Sequence, residues 1–178
     1  MVKAKAKTKA KPKVKIASFD KLKNRVREPN VVELMPWQSI HKEIAEPMLT
    51  GMGNIEIKHS HLAMGFARIT KPVTMGLPTH KHPHDQWIWL IGEPEHFYEF
   101  DADVEMTLGK KIVKINYPCY IFIPKNIMHC PLAVKRVGKP FIFVDARISD
   151  EASVRPKTYR KHAAVKYVAN PDKLKKKK

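Results

Sequence analysis

Histidines are concentrated in one short stretch of this 178-residue sequence, residues 79–86, THKHPHDQ. In an extended strand, residues two apart face the same side, so His80 and His82 can direct two imidazoles at one point. Gln86 follows four residues later with the same parity, and its side chain can add a carbonyl oxygen. Imidazole nitrogens and an amide oxygen suit a divalent transition metal. This spacing therefore makes the stretch a candidate metal site.

A second stretch, residues 120–129, YIFIPKNIMH, could supply a further ligand. It is typical of a buried strand, followed by a turn that contains Pro124 and then by His129. Asn126 lies where the turn could need a left-handed backbone, which Asn tolerates better than most residues. A rival pair, His59 and His61, has no matching downstream histidine, and we interpret it as an ordinary strand pair.

Together the two stretches resemble the paired motifs of the cupin family. The first matches as Gly-x3-His80-x-His82-x3-Gln86-x5-Gly92 and the second as Pro124-x-Asn126-x2-His129. The resemblance covers about residues 73–148. It implies a double-stranded β-helix, the cupin or jelly-roll barrel, with one divalent metal inside.

By this resemblance the metal ligands are His80, His82, Gln86 and His129. The sequence departs from the family's pattern in three places. Gln86 replaces the usual Glu, Asn126 replaces the usual Gly, and Pro118 stands where the second motif usually opens with Gly. Some metal-binding cupins do use three His and one Gln, so the first departure bears more on the metal's identity than on its presence.

A site with three neutral imidazoles and an amide oxygen would leave the metal its full positive charge. Such donors suit Mn, Fe, Ni, Zn or Cu, and they leave positions for water or substrate. The uncompensated charge should favour an anionic small-molecule substrate. On the same reasoning, Gln86→Glu should retain or tighten the metal and weaken anionic ligands.

Residues next to the motifs are candidates for the substrate pocket. His84 shares the parity of His82 and could support the ligands or contact the substrate. Ile88 and Leu90 have the inward parity and are predicted to line the pocket. Trp87 and Trp89 have the opposite parity, so we expect them on the outer face or in a homodimer interface.

The two cysteines, Cys119 and Cys130, form neither a disulfide framework nor a CxxC metal motif. Cys130 follows His129 directly, so alternation predicts that it faces away from the metal. We interpret both cysteines as packing residues. The sequence shows no apolar run long enough for a membrane span and no secretory signal, so we expect a cytoplasmic protein.

The formal net charge of +17 lies almost wholly in the two ends of the chain. Residues 1–25 and 155–178 each carry +9, whereas residues 26–154 carry −1. We predict a cupin domain over 26–154 between two basic disordered tails. The tails could bind nucleic acid through their charge, without sequence specificity, and residues 1–17 contain none of the aromatic residues that stack on bases.

The central region predicts an all-β fold with a short helical segment or two near its start, between Val31 and Leu49. From residue 55 onward, short β-type runs alternate with turn residues, as in a sandwich or barrel. The predicted strands are 55–59, 62–69, 86–92, 96–100, 104–109, 111–117, 120–124, 131–137 and 140–148.

The function that this sequence favours is a metal-dependent cupin enzyme acting on a small organic acid or oxygenated small molecule. Its reaction could be of the dioxygenase, isomerase, decarboxylase or lyase type, because the fold does not choose among them. Two alternatives stay open: a non-catalytic cupin that binds a small ligand, and a cupin body whose basic tails bind nucleic acid.

Overall fold

Alternating burial along the chain shows strands with one face in a core and one towards solvent. In the run Leu62–Ile69, every second side chain from Ala63 onward is buried, and Ala102–Leu108 begins with the same alternation. This period of two is what an amphipathic strand requires. The structure, a computed structural model, describes residues 26–37, 39, 41–52 and 60–148. These residues contain strands and turns and no α-helix.

Twelve strands occur in the described residues. They are β1 (Val26–Glu28), β2 (Val31–Val32), β3 (Met35–Trp37), β4 (Met48–Met52), β5 (Leu62–Ile69), β6 (Val73–Met75), β7 (Asp85–Gly92), β8 (Ala102–Leu108), β9 (Lys111–Ile115), β10 (Cys119–Ile123), β11 (His129–Val137) and β12 (Phe141–Ile148).

The strands form two main antiparallel sheets with a shared core. A six-stranded sheet has the order β10-β7-β12-β5-β4-β3, and a four-stranded sheet has the order β6-β11-β8-β9. Strands β1 and β2 form a separate ribbon. Leu90 and Ile123 from the first sheet are fully buried together with Met106 and Leu132 from the second. The fold is therefore the predicted all-β jelly roll, in which two antiparallel sheets enclose one apolar interior.

The segment 31–49, where we predicted a short helix or two, contributes β2, β3 and the start of β4, with a turn between them. Residues 38 and 40 of this segment lie outside the described residues. Pro36 lies in β3, at the edge of the six-stranded sheet, opposite Leu49. An edge strand tolerates a residue without a backbone N–H, and pairing with β4 overrides the local helical signal.

Two other strand predictions need comment. The run 96–100 is not a strand but a series of tight turns, in which the backbone N–H of Gly92 donates to the carbonyl oxygen of Phe97 at 2.8 Å. Of its aromatic residues, Phe100 packs against the core, where its ring lies 4.9 Å from the Phe141 ring, whereas Phe97 and Tyr98 are exposed. The predicted strand 55–59 and both predicted tails lie outside the described residues, so the domain boundaries stay predictions.

Candidate metal centre

The two sequence motifs meet through a short antiparallel bridge between His80 and His129. The backbone N–H of His80 donates to the carbonyl oxygen of His129 at 3.1 Å, and the reverse bond measures 2.8 Å. The His129 ring centroid lies 4.7 Å from that of His80 and 4.7 Å from that of His82. The rings of His80 and His82 are 6.2 Å apart. The structure therefore gathers the three predicted histidine ligands around one point.

Two hydrogen bonds hold the turn before His129 against the first motif. The backbone N–H of Asn126 donates to the carbonyl oxygen of His82 at 2.8 Å, and that of Lys125 donates to Asp85 Oδ1 at 2.8 Å. Asn126 has a φ of 64°, as its type and position predicted. The left-handed residue thus bends the chain so that His129 arrives beside His80.

All three histidines have the same ring nitrogen tied to a backbone carbonyl. Nδ1 of His80 lies 2.9 Å from the carbonyl oxygen of Pro78, and Nδ1 of His129 lies 2.8 Å from that of Ile127. Nδ1 of His82 lies 2.9 Å from the carbonyl oxygen of His84. Because a carbonyl oxygen only accepts, each Nδ1 must carry the hydrogen, and a neutral ring then has a free lone pair on Nε2. This tautomer is the one that histidine ligands adopt when their second nitrogen is held by a carbonyl.

The nitrogen and the oxygen of the Gln86 side-chain amide have different partners. Its Nε2 donates to Asp145 Oδ1 at 2.6 Å, and its Oε1 lies 2.8 Å from Nε2 of His82. With the His82 hydrogen on Nδ1, an amide oxygen and an imidazole lone pair face each other. Two hydrogen-bond acceptors repel each other at this distance unless a positive charge lies between them. That charge is either a second proton on His82 or a metal ion.

His129 supplies an independent indication of a missing partner. Its side chain is 0% exposed, and among the described residues its Nε2 has no hydrogen-bond partner. Burial lowers the pKa of His129, so the neutral ring with a free lone pair is favoured. A buried polar atom without a partner is costly, and a metal ion would remove that cost. The donor set therefore fits a divalent metal.

His84 supports His82 from one side. Besides accepting the Nδ1 hydrogen through its backbone carbonyl, it stacks its ring on that of His82 at 4.0 Å and an interplanar angle of 5°. Burial, and then the charges of His82 and Arg147, lower the pKa of His84 to about 4. His84 is thus neutral near pH 7 and holds His82 in place. Its predicted contact with substrate stays a prediction.

The predicted pocket residues Ile88 and Leu90 do face inward, but they are closely packed in the core, with 3% and 0% of their surface exposed. A cavity of about 320 Å³ lies between β8, β9 and β10 and is partly open to solvent. Its wall is mainly apolar and is formed by Met106, Leu108, Val113, Ile115, Tyr117, Cys119, Tyr120, Ile121 and Phe122.

The tryptophans face outward, as their parity predicted. Trp87 packs beside Phe122 with ring centroids 5.1 Å apart, and Trp89 lies 6.4 Å from Tyr120. They cover the outer face of the six-stranded sheet and take no part in the histidine cluster. Their role in a homodimer stays a prediction.

Cys130 does not face away from the histidines, contrary to the prediction from alternation. Its Sγ and one ring nitrogen each of His80 and His129 all lie within 4.8 Å of one another. Cys130 has a φ of 67°, and the pairing of β11 with β8 shifts register between His129 and Leu132. This bulge turns two consecutive side chains inward, and both are buried.

Asp145 is the residue of the site that sequence reasoning missed. It lies on β12 opposite Ile88, which faces the interior, and it holds the Gln86 amide. The signal was present, since Phe141, Phe143 and Asp145 share one parity in a strand whose other residues, apart from Arg147, are apolar. An acidic residue at an inward position of such a strand is unusual unless it has a partner. Arg147 follows at the same parity, directly opposite Gln86.

Several solved structures are similar to this chain in fold. KdgF from Halomonas sp. is 15% identical with a TM-score of 0.41, over 65% of this chain and 88% of that one. An RmlC-like cupin from Shewanella frigidimarina is 18% identical with a TM-score of 0.37, over 66% and 90% of the two chains. Oxalate decarboxylase of Bacillus subtilis is 10% identical with a TM-score of 0.46, over 66% of this chain and 28% of that one. No protein-family model and no curated protein matches the sequence.

The order and pairing of the strands define the fold. Two antiparallel sheets enclose a core, and three histidines converge where the two motifs meet. The chain has the cupin fold. Among the residues that the structure describes, no helix is long and apolar enough to cross a membrane.

Proposed function

We propose that this chain is a metal-dependent cupin enzyme that acts on a small organic acid or oxygenated small molecule. The metal would be held by Nε2 of His80, His82 and His129 and by Oε1 of Gln86. The single observation that supports this most is that all three imidazoles are held through Nδ1, which leaves Nε2 as their free ligand atom.

The four donors are neutral, so they suit Mn, Fe, Ni, Zn or Cu and do not select among them. A metal bound there would act as a Lewis acid towards substrate oxygens and would make a bound water more acidic. Substrate groups that carry negative charge would be favoured, because no ligand in this set offsets the charge of the ion.

Asp145 and Arg147 give the site its own charged groups. Asp145 Oδ1 accepts from Gln86, and the charge of Asp145 is felt at both His129 and Cys130. Arg147 is close enough to His84 for its charge to lower the pKa of that ring. We propose that Arg147 attracts the anionic group of the substrate and that Asp145 is the proton acceptor or donor nearest the ligands.

The apolar cavity fits the remaining part of such a substrate. Leu108, which forms part of its wall, is the pairing partner of His129 across β8 and β11. The cavity wall therefore includes one direct neighbour of His129, and none of the four proposed ligands forms part of it. A volume of about 320 Å³ is at the small end of the range for ligand pockets, so the substrate is a small molecule.

We place this enzyme in the cytoplasm. Both cysteines, Cys119 and Cys130, are free thiols, which suits a reducing compartment.

The proposal is tested by the metal content of the protein purified after metal-replete growth, followed by activity screens. We expect about one divalent transition metal per chain by elemental analysis. Oxygen uptake, loss of carbon dioxide and isomerisation would then be measured with a panel of small carboxylates. A bound metal with ligand binding but no turnover would favour the non-catalytic binding protein. A metal-free protein that takes up no added divalent metal would contradict the enzyme hypothesis.

A further inference from the structure

Cys130 places a sulfur atom beside two histidines of the candidate metal centre. Its Sγ belongs to a group with the ring nitrogens of His80 and His129 in which all ligand atoms lie within 4.8 Å of one another. Nδ1 of each of these histidines is already held by a carbonyl, so Nε2 is the nitrogen available for a metal. Ligand atoms on one ion lie about 3 to 4 Å apart, so this group needs only a small contraction.

The backbone conformation at Cys130 directs its thiol towards the interior. The left-handed conformation of Cys130 places its side chain on the same side as that of His129, and only 7% of Cys130 is exposed. Gly76, the glycine of the first motif, leaves the space that the thiol fills. A Cβ atom at Gly76 would lie 2.5 Å from Cys130 Sγ.

A second, independent observation indicates a ligand at this point. His129, which adjoins the thiol, is fully buried, and within the described part of the chain its Nε2 has no hydrogen-bond partner. A metal ion bound at this point would satisfy that nitrogen and would lie within reach of the thiol.

We propose that Cys130 Sγ is a further protein ligand of the metal held by His80 and His129. This inference rests on the proposed function of the same site. On binding, the S–H bond breaks, a metal–sulfur bond forms and the proton leaves to solvent, with no change of oxidation state. The thiolate offsets only one of the two positive charges of the ion, so an anionic substrate group is still favoured. Because thiolate is a soft ligand, the site prefers zinc, cobalt or nickel to manganese.

The test uses the full chain loaded with Co²⁺, whose visible bands report binding and whose near-ultraviolet charge-transfer band reports a cobalt–sulfur bond. We expect both signals in the wild type. The matched control is Cys119→Ser, which alters the other thiol of the chain and should keep both signals. Cys130→Ser and Cys130→Ala should lose the charge-transfer band while the histidines still bind cobalt.

The metal preference gives a second readout. Cys130→Ala should weaken zinc binding by more than the roughly 10- to 100-fold that is typical of a partner outside the ligand set, and it should change manganese binding much less. X-ray absorption of the zinc-loaded wild type should show one sulfur scatterer, which tests the proposal even if the variants do not fold.

The outcomes separate the two hypotheses. If the wild type binds cobalt without the charge-transfer band, and zinc without a sulfur scatterer, Cys130 is not a ligand while the proposed metal centre stands. If the wild type binds neither metal, the proposed function itself is wrong, and this inference with it.

Discussion

Gln86 and Asp145 are joined by a hydrogen bond of 2.6 Å although 59 residues separate them in the sequence. The bond decides which way the amide faces. Its nitrogen points to the Asp145 carboxylate, so its oxygen must point to His82. A glutamate could not make both contacts, because it has no hydrogen to donate when ionised. Asp145 therefore gives a physical reason for the glutamine at a position where the cupin motif usually has glutamate.

Removal of this carboxylate should weaken metal binding without removing a ligand. In Asp145→Ala the Gln86 amide loses its anchor, and we expect a loss of about 10- to 100-fold in metal affinity. Asp145→Asn should lose less, because its amide oxygen can still accept from Gln86. Titration against a chelator measures both. The control is Glu105→Ala, which removes a carboxylate that faces Lys114 and Lys135 instead. Equal affinities in all variants would contradict the positioning role of Asp145.

The effect of Gln86→Glu should be the reverse of what the sequence suggested. The new carboxylate would face Asp145 at hydrogen-bond distance, and two negative charges there repel each other or force one group to take up a proton. We expect weaker metal binding in the single variant. Adding Asp145→Asn should restore the binding or improve it, because the new partner is neutral and can donate. A calorimetric double-mutant cycle measures the coupling, and additive effects would count against it.

Loss of His129, the histidine of the second motif, should remove most of the bound metal. His129→Ala removes a buried ligand that links the two motifs, so we expect most of the bound metal to be lost while the β-sheet circular dichroism persists. Some stability should be lost as well, because the substitution leaves a cavity. The control is His96→Ala, since His96 is exposed in the turns after β7, at the end of that strand away from Gln86. Unchanged metal content in elemental analysis of His129→Ala would contradict the assignment.

Gly92 ends β7 where another segment passes close by. A Cβ atom there would meet the carbonyl oxygens of His96 and Glu99. Backbone atoms cannot move aside easily, so we expect Gly92→Ala to destabilise the fold by about 2 kcal/mol or more. Gly109 is the comparison, because its φ is +60° with nothing within 4 Å of an added Cβ. Gly109→Ala should cost only about 1 kcal/mol, from the left-handed backbone alone. Thermal or urea unfolding of the two variants gives the order, and the opposite order would contradict this account.

The basic ends of the chain should be dispensable for folding. Removal of residues 1–16 and 170–178 takes away cationic sequence that has no apolar face large enough to bury, so the thermal transition should be unchanged. Binding to DNA or RNA should fall sharply, and in the full chain it should weaken steeply as salt rises. Fluorescence anisotropy with a labelled duplex measures this. A collapsed thermal transition in the truncated protein would show that the ends are structural.

The sequence alone was sufficient for the features that depend on local pattern. Short β-type runs separated by turn residues predicted an all-β fold, and the described residues form strands and turns without an α-helix. The left-handed conformation of Asn126 was predicted from its residue type and its place in a turn. The meeting of His80, His82 and His129 was predicted because the paired motifs carry a known spacing.

Tertiary structure decided the features that depend on which strands pair and in what register. Asp145 reaches Gln86 only because β12 lies beside β7, and no local pattern in either strand specifies that neighbour. Cys130 enters the histidine cluster because a bulge breaks the alternation of β11, which reverses the side that parity assigns to it. The segment around Pro36 forms an edge strand because β4 is available to pair with it. For Cys130 and Pro36, the free energy of strand pairing outweighs the local preference on which the expectation from sequence was based.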